Sequence, residues 1–321
     1  MRNSVIASSF EEQSQEQVFL KALKSTLSIN DEVIIAVSDN SQINNSKDQV
    51  KFIYNPLTIS PVGFNLCLNE ASGDYITLTG IRSFISANYV NKAIEILNAN
   101  QEIGCAGGRI IHKANTEYGM AIAKAMGAPF GMGIFSFRSL QKSGYTDTVS
   151  VPVFKRDVIE KVGLFDETLI RNQDDDYSYR LKKAGYKIWH EASITSTYFV
   201  REKFSQLAEQ FFQYGFWKNY VNKKHKTITT LRQLVPPLFL ITQLLLLFLN
   251  PVILFVLLLL YSVLLFTQSV SINQLKLRPA LKTLYAFIVM HYCYGLGYIY
   301  GFIYAFIFNI SAPEFVKKIT R

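Results

Sequence analysis

The chain has 321 residues, of which 49% are hydrophobic, 14% aromatic and 18% charged. That length corresponds to about two units of ordinary domain size, and the apolar content excludes intrinsic disorder and fibrous repeats. Thirty-three Lys and Arg against 24 Asp and Glu give a formal charge of +9, which favours anionic partners: nucleic acid, lipid headgroups or phosphate-bearing substrates.

The first residues, MRNSVIASSFEE, contain too short an apolar core for a signal peptide, so the polar N-terminal portion is expected to stay in the cytosol. Short β-branched runs then recur at 4–7, 32–37, 50–54, 75–79 and 108–112. Helical patterns lie between them at 15–26, 61–71 and 87–99. Apolar strand, amphipathic helix, apolar strand is the pattern of a parallel sheet with helices on its faces. Such sheets bind ligands at the carboxyl ends of their strands, which makes loops 8–12, 38–44 and 80–83 candidate binding loops. Gly107-Gly108 reads either as a close backbone approach to a ligand or as a strand-edge turn.

Residues 162–189, VGLFDETLIRNQDDDYSYRLKKAGYKIW, are denser in chemistry than any other segment. Asp174, Asp175 and Asp176 precede a predicted helix that carries Arg180, Lys182 and Lys183 and stops at Gly185. Acids at the positive end of a helix and bases at its negative end are good capping. Three adjacent carboxylates exceed what a cap needs, and their mutual repulsion calls for compensation.

The stretch 210–226 mixes Phe211, Phe212, Tyr214, Phe216 and Trp217 with Lys218, Lys223, Lys224 and Lys226. That mixture suits a helix lying in the headgroup layer of a bilayer, so 206–232 is expected to be an amphipathic interfacial segment. Its position directly before an apolar region argues against nucleic acid as the partner. From Gln233 to Leu275 no Asp, Glu, Lys or Arg occurs. As one helix this run would extend about 65 Å, roughly twice the hydrocarbon thickness of a bilayer. Asn250-Pro251 interrupts it, because proline cannot continue the preceding hydrogen-bond ladder, and two spans over 234–249 and 252–267 are predicted.

A second uncharged run lies between Lys282 and Glu314, where Gly297 and Gly301 have the spacing that lets helix backbones approach closely. His291 within it marks either a lipid or proton path or a neutral imidazole bonded between helices. Two to four spans are expected over 233–310, with a basic tail at 311–321. Three spans place Lys276 and Arg278 on the side of the first 230 residues but strand Lys317, Lys318 and Arg321 opposite; an even number reverses the conflict. Cys67, Cys105 and Cys293 are widely spaced without a CxxC or Cys/His cluster. A disulfide framework or zinc site is therefore not expected, and a reducing compartment fits best.

Several segments together carry a resemblance. They are NPLTISPVGFNLCLNEASGDYI (55–76), PFGMGIFSFR (129–138), GYTDTVSVPVFKRDVIEKVGLFDETLIRNQDDD (144–176), and QYGFWKNYVNKKHK with LVPPLF (213–226, 234–239). With the FDE…DDD…R…AGYK spacing, they resemble inverting glycosyltransferases of family 2, of the membrane-anchored succinoglycan type used in bacterial exopolysaccharide assembly. The resemblance implies a Rossmann-like (GT-A type) α/β domain binding a nucleotide sugar over 1–205, followed by a C-terminal transmembrane helical anchor. It further implies a polyprenyl-linked saccharide acceptor, a bacterial inner-membrane location and a cytoplasmic catalytic domain. Counting back from Arg180, it puts the catalytic aspartate at Asp174, with Asp175 and Asp176 as fallback candidates. Asp39 falls at the nucleotide-binding position, Ser8 and Glu11 in the first donor-side loop, and Asp147 and Arg156 in the acceptor-side core. An aspartate of unperturbed pKa near 4 is ionised at cytosolic pH and can accept the proton of an attacking hydroxyl.

The chain also departs from that family. A DxD-type motif holding Mg²⁺ or Mn²⁺ normally follows the strand at 75–79, whereas this chain reads Thr79-Gly80-Ile81-Arg82. The metal that the resemblance implies thus lacks its ligands, and no residue is assigned to it. The first loop, Ala7-Ser8-Ser9-Phe10-Glu11, and the second, with Asp39 alone of two acids, are also altered. In one reading Arg82 takes the place of the metal, since a guanidinium is permanently charged and grips phosphate oxygens in pairs. In the other, the donor site is degenerate and the protein is a catalytically silent scaffold or binding subunit.

Overall fold

In the computed structural model the described residues are 2–9, 13–45, 49–133, 138 and 140–317. The chain forms two compact units, residues 1–111 with 135–199, and 112–134 with 200–321. The boundary expected near residue 205 falls in the first turn of a helix of the second unit.

In the first unit the elements follow the sequence pattern as far as residue 99. They are β1 (Asn3–Ser8), α1 (Gln13–Lys24), β2 (Glu32–Val37), β3 (Val50–Tyr54), α2 (Ser60–Glu70), β4 (Tyr75–Gly80), β5 (Ser83–Ile85) and α3 (Tyr89–Ala99). β6 (Ile103–Lys113) follows, longer than the 108–112 run suggested. The insertion α4 (Glu117–Gly127) and α5 (Pro129–Met132) belongs to the second unit. The first unit resumes with β7 (Gly144–Tyr145), β8 (Ser150–Lys155), α6 (Arg156–Val162), α7 (Gln173–Lys183) and β9 (Lys187–Phe199).

β1 is buried at all six positions and β2 at five of six, as strands covered by helices on both faces require. Phe64, Cys67 and Leu68 of α2 pack on one face together with Tyr177 and Leu181 of α7, and Phe19 and Leu23 of α1 pack on the other. Burial pushes the Cys67 thiol up to about 12, so this cysteine acts as a small apolar core residue.

The strand order is β3-β2-β1-β4-β8-β6-β9-β5, with β7 on β9. β1 to β4 pair in parallel, but β8 is antiparallel to both β4 and β6, and β9 to β5 and β7. The expectation of a parallel sheet therefore holds for the first half only, and the fold is a mixed α/β sheet. β8 contains Pro152, which has no N–H for a ladder; the register against β6 slips between Ala106 and Gly108, opposite this stretch, and proline is tolerated at such bulges. The Tyr89 hydroxyl secures the irregularity by donating to the carbonyls of Ser150 (2.7 Å) and Val151 (3.0 Å) and accepting from the Gly108 N–H (2.6 Å). Gly107 and Gly108 are buried strand residues whose close approaches are to the Ser150 and Ile194 carbonyls.

The second unit adds α8 (Phe204–His225), α9 (Val235–Leu249), α10 (Pro251–Ile272), α11 (Leu277–Phe302) and α12 (Glu314–Lys317). Among the described residues, three helices are long and apolar enough to cross a membrane: Leu231–Leu249, Pro251–Ile272 and Leu277–Ile307. Pro251 is the first residue of α10, and the Asn250 side chain accepts the Ile253 N–H at 3.1 Å, so the Asn-Pro pair makes the predicted break. In α8, Phe211, Phe216, Trp217 and Lys218 are buried against the rest of the helical unit. Lys224 and Lys226 keep exposed positions. His291 is bonded between elements, its Nδ1 at 2.9 Å from the Tyr261 hydroxyl and its Nε2 at 2.7 Å from the Phe130 carbonyl.

α8 and α11 pack backbone to backbone through glycines, as the Gly297/Gly301 spacing suggested. A methyl group on Gly297 would collide with the Phe212 carbonyl, and one on Gly301 would lie 2.5 Å from that of Phe216. Because the obstructing atoms are main chain, they cannot rotate away. Gly297→Ala is therefore expected to destabilise the helical unit by about 1–3 kcal/mol, read as a lowered midpoint of thermal unfolding in detergent. An unchanged midpoint would show that the two helices can part at no cost.

Candidate active site

The order β3-β2-β1-β4 reverses direction between β1 and β4, and α/β sheets hold ligands outside the carboxyl ends of strands at such a point. Ser8 ends β1 beside Gly80, which ends β4, while Asp39 follows β2. Ser8 is 9% exposed, and its Oγ has no hydrogen-bond partner among the described residues. Asp39 is exposed; the backbone N–H of Ser41, at 2.9 Å, holds its carboxyl below the ordinary value. Glu11 lies outside the described residues.

A cavity of about 200 Å³ opens at this edge, with Thr79, Gly80, Arg138, Gln173, Asp174 and Ser178 among its polar lining. Phe64, Phe154, Phe165 and Tyr177 form its apolar floor. Asp174 is thus an exposed carboxylate on the wall of a pocket at the carboxyl end of β4. The sequence placed the three aspartates before the helix, but they lie inside its first turn. Asn172, in a left-handed conformation (φ 60°), starts the helix, and its carbonyl accepts the Asp176 N–H at 3.0 Å.

The three carboxylates have separate surroundings. Asp175 is half-buried. Asp176 is fully buried and accepts the Arg180 Nε–H at 3.0 Å. Arg180 also donates to the carbonyls of Val162 (2.9 Å) and Leu164 (2.8 Å) and lies over the Tyr177 ring at 4.8 Å. Asp176 therefore fixes α7 to the preceding loop. That loop is pinned again by Asn65, which exchanges hydrogen bonds with the Phe165 backbone, both 2.9 Å, and donates to Glu167 at 2.8 Å. Phe165 stacks on Tyr177 at 4.3 Å. The FDE segment is scaffolding for the helix that carries Asp174.

Two of the expected site residues stand differently. Arg156 was expected on the acceptor side, but it follows β8, which runs antiparallel to β4, so it lies beside Asp74 at the start of β4. The pocket is at the other end of that strand, roughly 17 Å away at about 3.3 Å per residue. Its guanidinium donates to the carbonyls of Gly73 and Ala71, both at 2.7 Å, making it a structural clamp. Asp147 adjoins pocket residue Thr148 but is ion-paired with Lys182 of α7 at 2.9 Å.

The cation on the pocket wall is Arg138, which lies 5.9 Å from the Tyr198 ring centroid. Arg82 lies in the turn between β4 and β5, outside the pocket lining, and its carbonyl accepts the Phe199 N–H at 3.4 Å. Arg138 was visible in the sequence only as the last residue of PFGMGIFSFR, with no periodic pattern to assign it a role. No carboxylate occurs at Thr79-Gly80-Ile81-Arg82, and among the described residues no three His, Cys, Asp or Glu side chains gather to hold a metal. The described residues do not fit the divalent cation that the resemblance implies.

A larger hollow of about 600 Å³ lies at the amino ends of the strands, lined by Arg2, Asp31, Glu32, Lys51 and Asp74. Its charges are committed to one another and to backbone groups, for example Arg2 to Glu32 at 3.2 Å and Asp31 to the Asn3 N–H at 3.0 Å. It is at the wrong end of the strands for a ligand site of this fold.

No protein-family model matches the chain. In sequence it is 25% identical over 199 residues to the succinoglycan biosynthesis protein ExoA of Rhizobium meliloti, covering 59% of this chain and 57% of that protein. It is also 25% identical over 181 residues to the dolichyl N-acetyl-alpha-D-glucosaminyl phosphate 3-beta-D-2,3-diacetamido-2,3-dideoxy-beta-D-glucuronosyltransferase of Methanococcus voltae, covering 55% and 56%. The chain thus spans a little over half the length of these curated relatives. Similar solved structures include GalNAc-T7 with UDP, GalNAc and Mn²⁺ (TM-score 0.47, 11% identity, 63% of this chain and 44% of that one). Another is the mannosyltransferase PcManGT of Pyrobaculum calidifontis with GDP-Man and Mn²⁺ (TM-score 0.48, 13% identity, 66% and 61%). In sequence, the chain is thus similar to a succinoglycan biosynthesis protein and to a glucuronosyltransferase.

Proposed function

We propose that this protein transfers a sugar from a nucleotide-diphosphate sugar to a saccharide acceptor, with inversion, at the cytoplasmic face of a bacterial inner membrane. The observation that carries the reading is Asp174: an exposed carboxylate on the wall of a pocket at the carboxyl end of β4, on a helix held rigid from behind. In a single displacement the acceptor hydroxyl gives its proton to the Asp174 carboxylate as its oxygen bonds to the anomeric carbon. The bond from that carbon to the phosphate oxygen breaks, and the nucleoside diphosphate leaves. Arg138 faces the charge that develops on the leaving group, Arg82 lies further out at the strand end, and Asp39 and Ser8 line the donor edge. The names of the two relatives, one in succinoglycan biosynthesis and one acting on a dolichyl-linked sugar, support a lipid-linked acceptor. The apolar helices support membrane attachment, and an attached domain meets a lipid-linked acceptor at high effective concentration.

The missing carboxylates at 79–82 favour a second reading, a degenerate scaffold, and one experiment separates the two. Purified protein is incubated with a panel of nucleotide sugars in EDTA or Mg²⁺, and released nucleoside diphosphate is measured. Release is expected to survive EDTA and to fall about 10²–10³-fold in Arg138→Ala, the range for losing one preorganised charge-stabilising group, with a smaller fall in Arg82→Ala. Activity that depends on added Mg²⁺ would overturn the metal-free site. Failure of every donor to bind by calorimetry would leave the scaffold.

A further inference from the structure

Composition marks three helices as able to cross a membrane, but the contacts inside the helical unit treat one of them differently. α11 runs parallel to α8 and in register with it. Phe204 at the start of α8 meets Tyr285 near the start of α11, with ring centroids 4.8 Å apart. Further along, Asn219 donates to the Tyr298 carbonyl at 2.9 Å and Asn222 to the Tyr298 hydroxyl at 3.2 Å. Whatever depth α11 crosses, α8 crosses with it. Yet α8 carries Glu209 and a buried Lys218, and it ends in Lys223-Lys224-His225-Lys226.

The α9–α10 hairpin gives the direction of α11. The two feet of a hairpin lie on one side of a bilayer. The α10 foot, Asn273, donates to the Thr283 hydroxyl at 2.9 Å, and the first turn of α9 touches Gly295 through the Pro236 main chain. The stretch from Thr283 to Gly295 therefore runs obliquely from the α10 foot to the α9 foot, across the lower half of the hairpin. Higher contacts, Tyr261 with His291 and Gln243 with Tyr292 at 2.9 Å each, leave the outer part of the hairpin untouched. There Leu247, Phe248, Leu249, Val252 and Phe255 are 53–79% exposed.

Burial and chemistry agree with this direction. In its most apolar stretch, 44% of α11 is buried by protein, against 11% in each hairpin arm. Tyr285, Tyr292, Tyr294, Tyr298 and Tyr300 are spread along α11, whereas a spanning helix gathers its tyrosines at the two interfaces. Beyond α11 the chain folds back along α8: Lys223 donates to the Asn309 side chain at 2.6 Å, Tyr220 to the Ile310 carbonyl at 3.0 Å and Trp217 to the Val316 carbonyl at 3.1 Å.

From these contacts we infer that only α9 and α10 cross the bilayer, while α11 lies beside α8 in the plane of the interface, so that the segment after α11 returns to the side of the hairpin feet. α10, at 22 residues or about 33 Å, matches a hydrocarbon core of about 30 Å. The arrangement also removes the charge conflict of any odd or even count that includes α11. Lys223, Lys224, Lys226, Arg232, Lys276, Arg278 and Lys317 then share one side, and the hairpin tip carries no charge, as the positive-inside rule requires for feet in the cytoplasm.

The inference rests on the membrane reading above, and one experiment tests them separately. Leu249→Cys at the tip, Lys276→Cys between α10 and α11, and Glu314→Cys beyond α11 are labelled with a membrane-impermeant maleimide in right-side-out and in inverted vesicles, with the parent protein as blank. Leu249→Cys is expected to label only in right-side-out vesicles, and Lys276→Cys and Glu314→Cys only in inverted ones. Lys276→Cys and Glu314→Cys on opposite sides would overturn the in-plane helix while leaving the membrane reading intact. Leu249→Cys on the same side as Lys276→Cys would overturn the crossing itself. Trypsin on the unsubstituted protein checks the result: right-side-out vesicles should keep the chain uncut beyond Lys317, where a spanning α11 would expose it.

Discussion

Asp174→Asn is expected to lower sugar transfer by about 10²–10⁴-fold, the usual worth of a positioned proton acceptor, while leaving the protein folded. Asparagine matches aspartate in size and keeps a hydrogen-bonding oxygen, but it cannot take a proton from an alcohol. Position 174 is exposed on the first turn of α7, and one negative charge lost from a helix N-terminus costs about 0.3–1 kcal/mol. The signature is a collapse of nucleoside diphosphate release with unchanged donor affinity and little change in the unfolding midpoint. Asp175→Asn, half-buried on the same turn, is the control. A larger loss there than at 174 would move the base to its neighbour. A loss at 174 that tracked the unfolding midpoint would make this carboxylate a helix cap and nothing more.

The difference between these neighbours shows what could be read from sequence. The i, i+4 spacing of Asp176 and Arg180 already pairs them on one helix face, and the structure adds the burial that makes the pair structural. β1, β2 and β4 were legible because buried parallel strands are continuous apolar, β-branched runs, and the half-exposed edge strand β3 was legible as a short run of the same kind. β8 was not: Pro152 contradicts a central strand, and only the slipped register and the Tyr89 hydroxyl show how it is accommodated. The misplacement of Arg156 follows from the same gap. In a parallel sheet the residue after a strand lies at the ligand edge, and the antiparallel direction of β8 carries Arg156 to the far end. Arg138 had no pattern to expose it, since its position depends on how the segment after α5 meets the sheet. In the apolar region, composition could identify helices able to enter a bilayer. The direction of α11 needed contacts, because an in-plane helix packed on three sides is as apolar as one that crosses.

The largest effect on stability is expected at Asp176. Its side chain has 0% exposure and its partner Arg180 19%. Asp176→Ala leaves the guanidinium in the protein with two carbonyls but without its counter-charge, and breaking a buried pair from one side costs about 3–5 kcal/mol. The partial exposure of Arg180 lets water reach its outer edge, which places the expectation near the lower end of that range. Asp176→Ala should therefore unfold at a clearly lower temperature than either Asp174→Asn or Asp175→Asn. Removing both charges with apolar side chains, Asp176→Leu with Arg180→Met, should recover part of the loss, since a hydrophobic replacement of a buried pair is often neutral or stabilising. Activity is expected to fall with stability in the single variant and to return only in part in the double one, because Arg180→Met removes the bonds from Arg180 to the Val162 and Leu164 carbonyls that hold α7 against the preceding segment. If Asp176→Ala melted like the parent protein, the helix would be held by its apolar face alone, and the rigidity ascribed to the carrier of Asp174 would need another source.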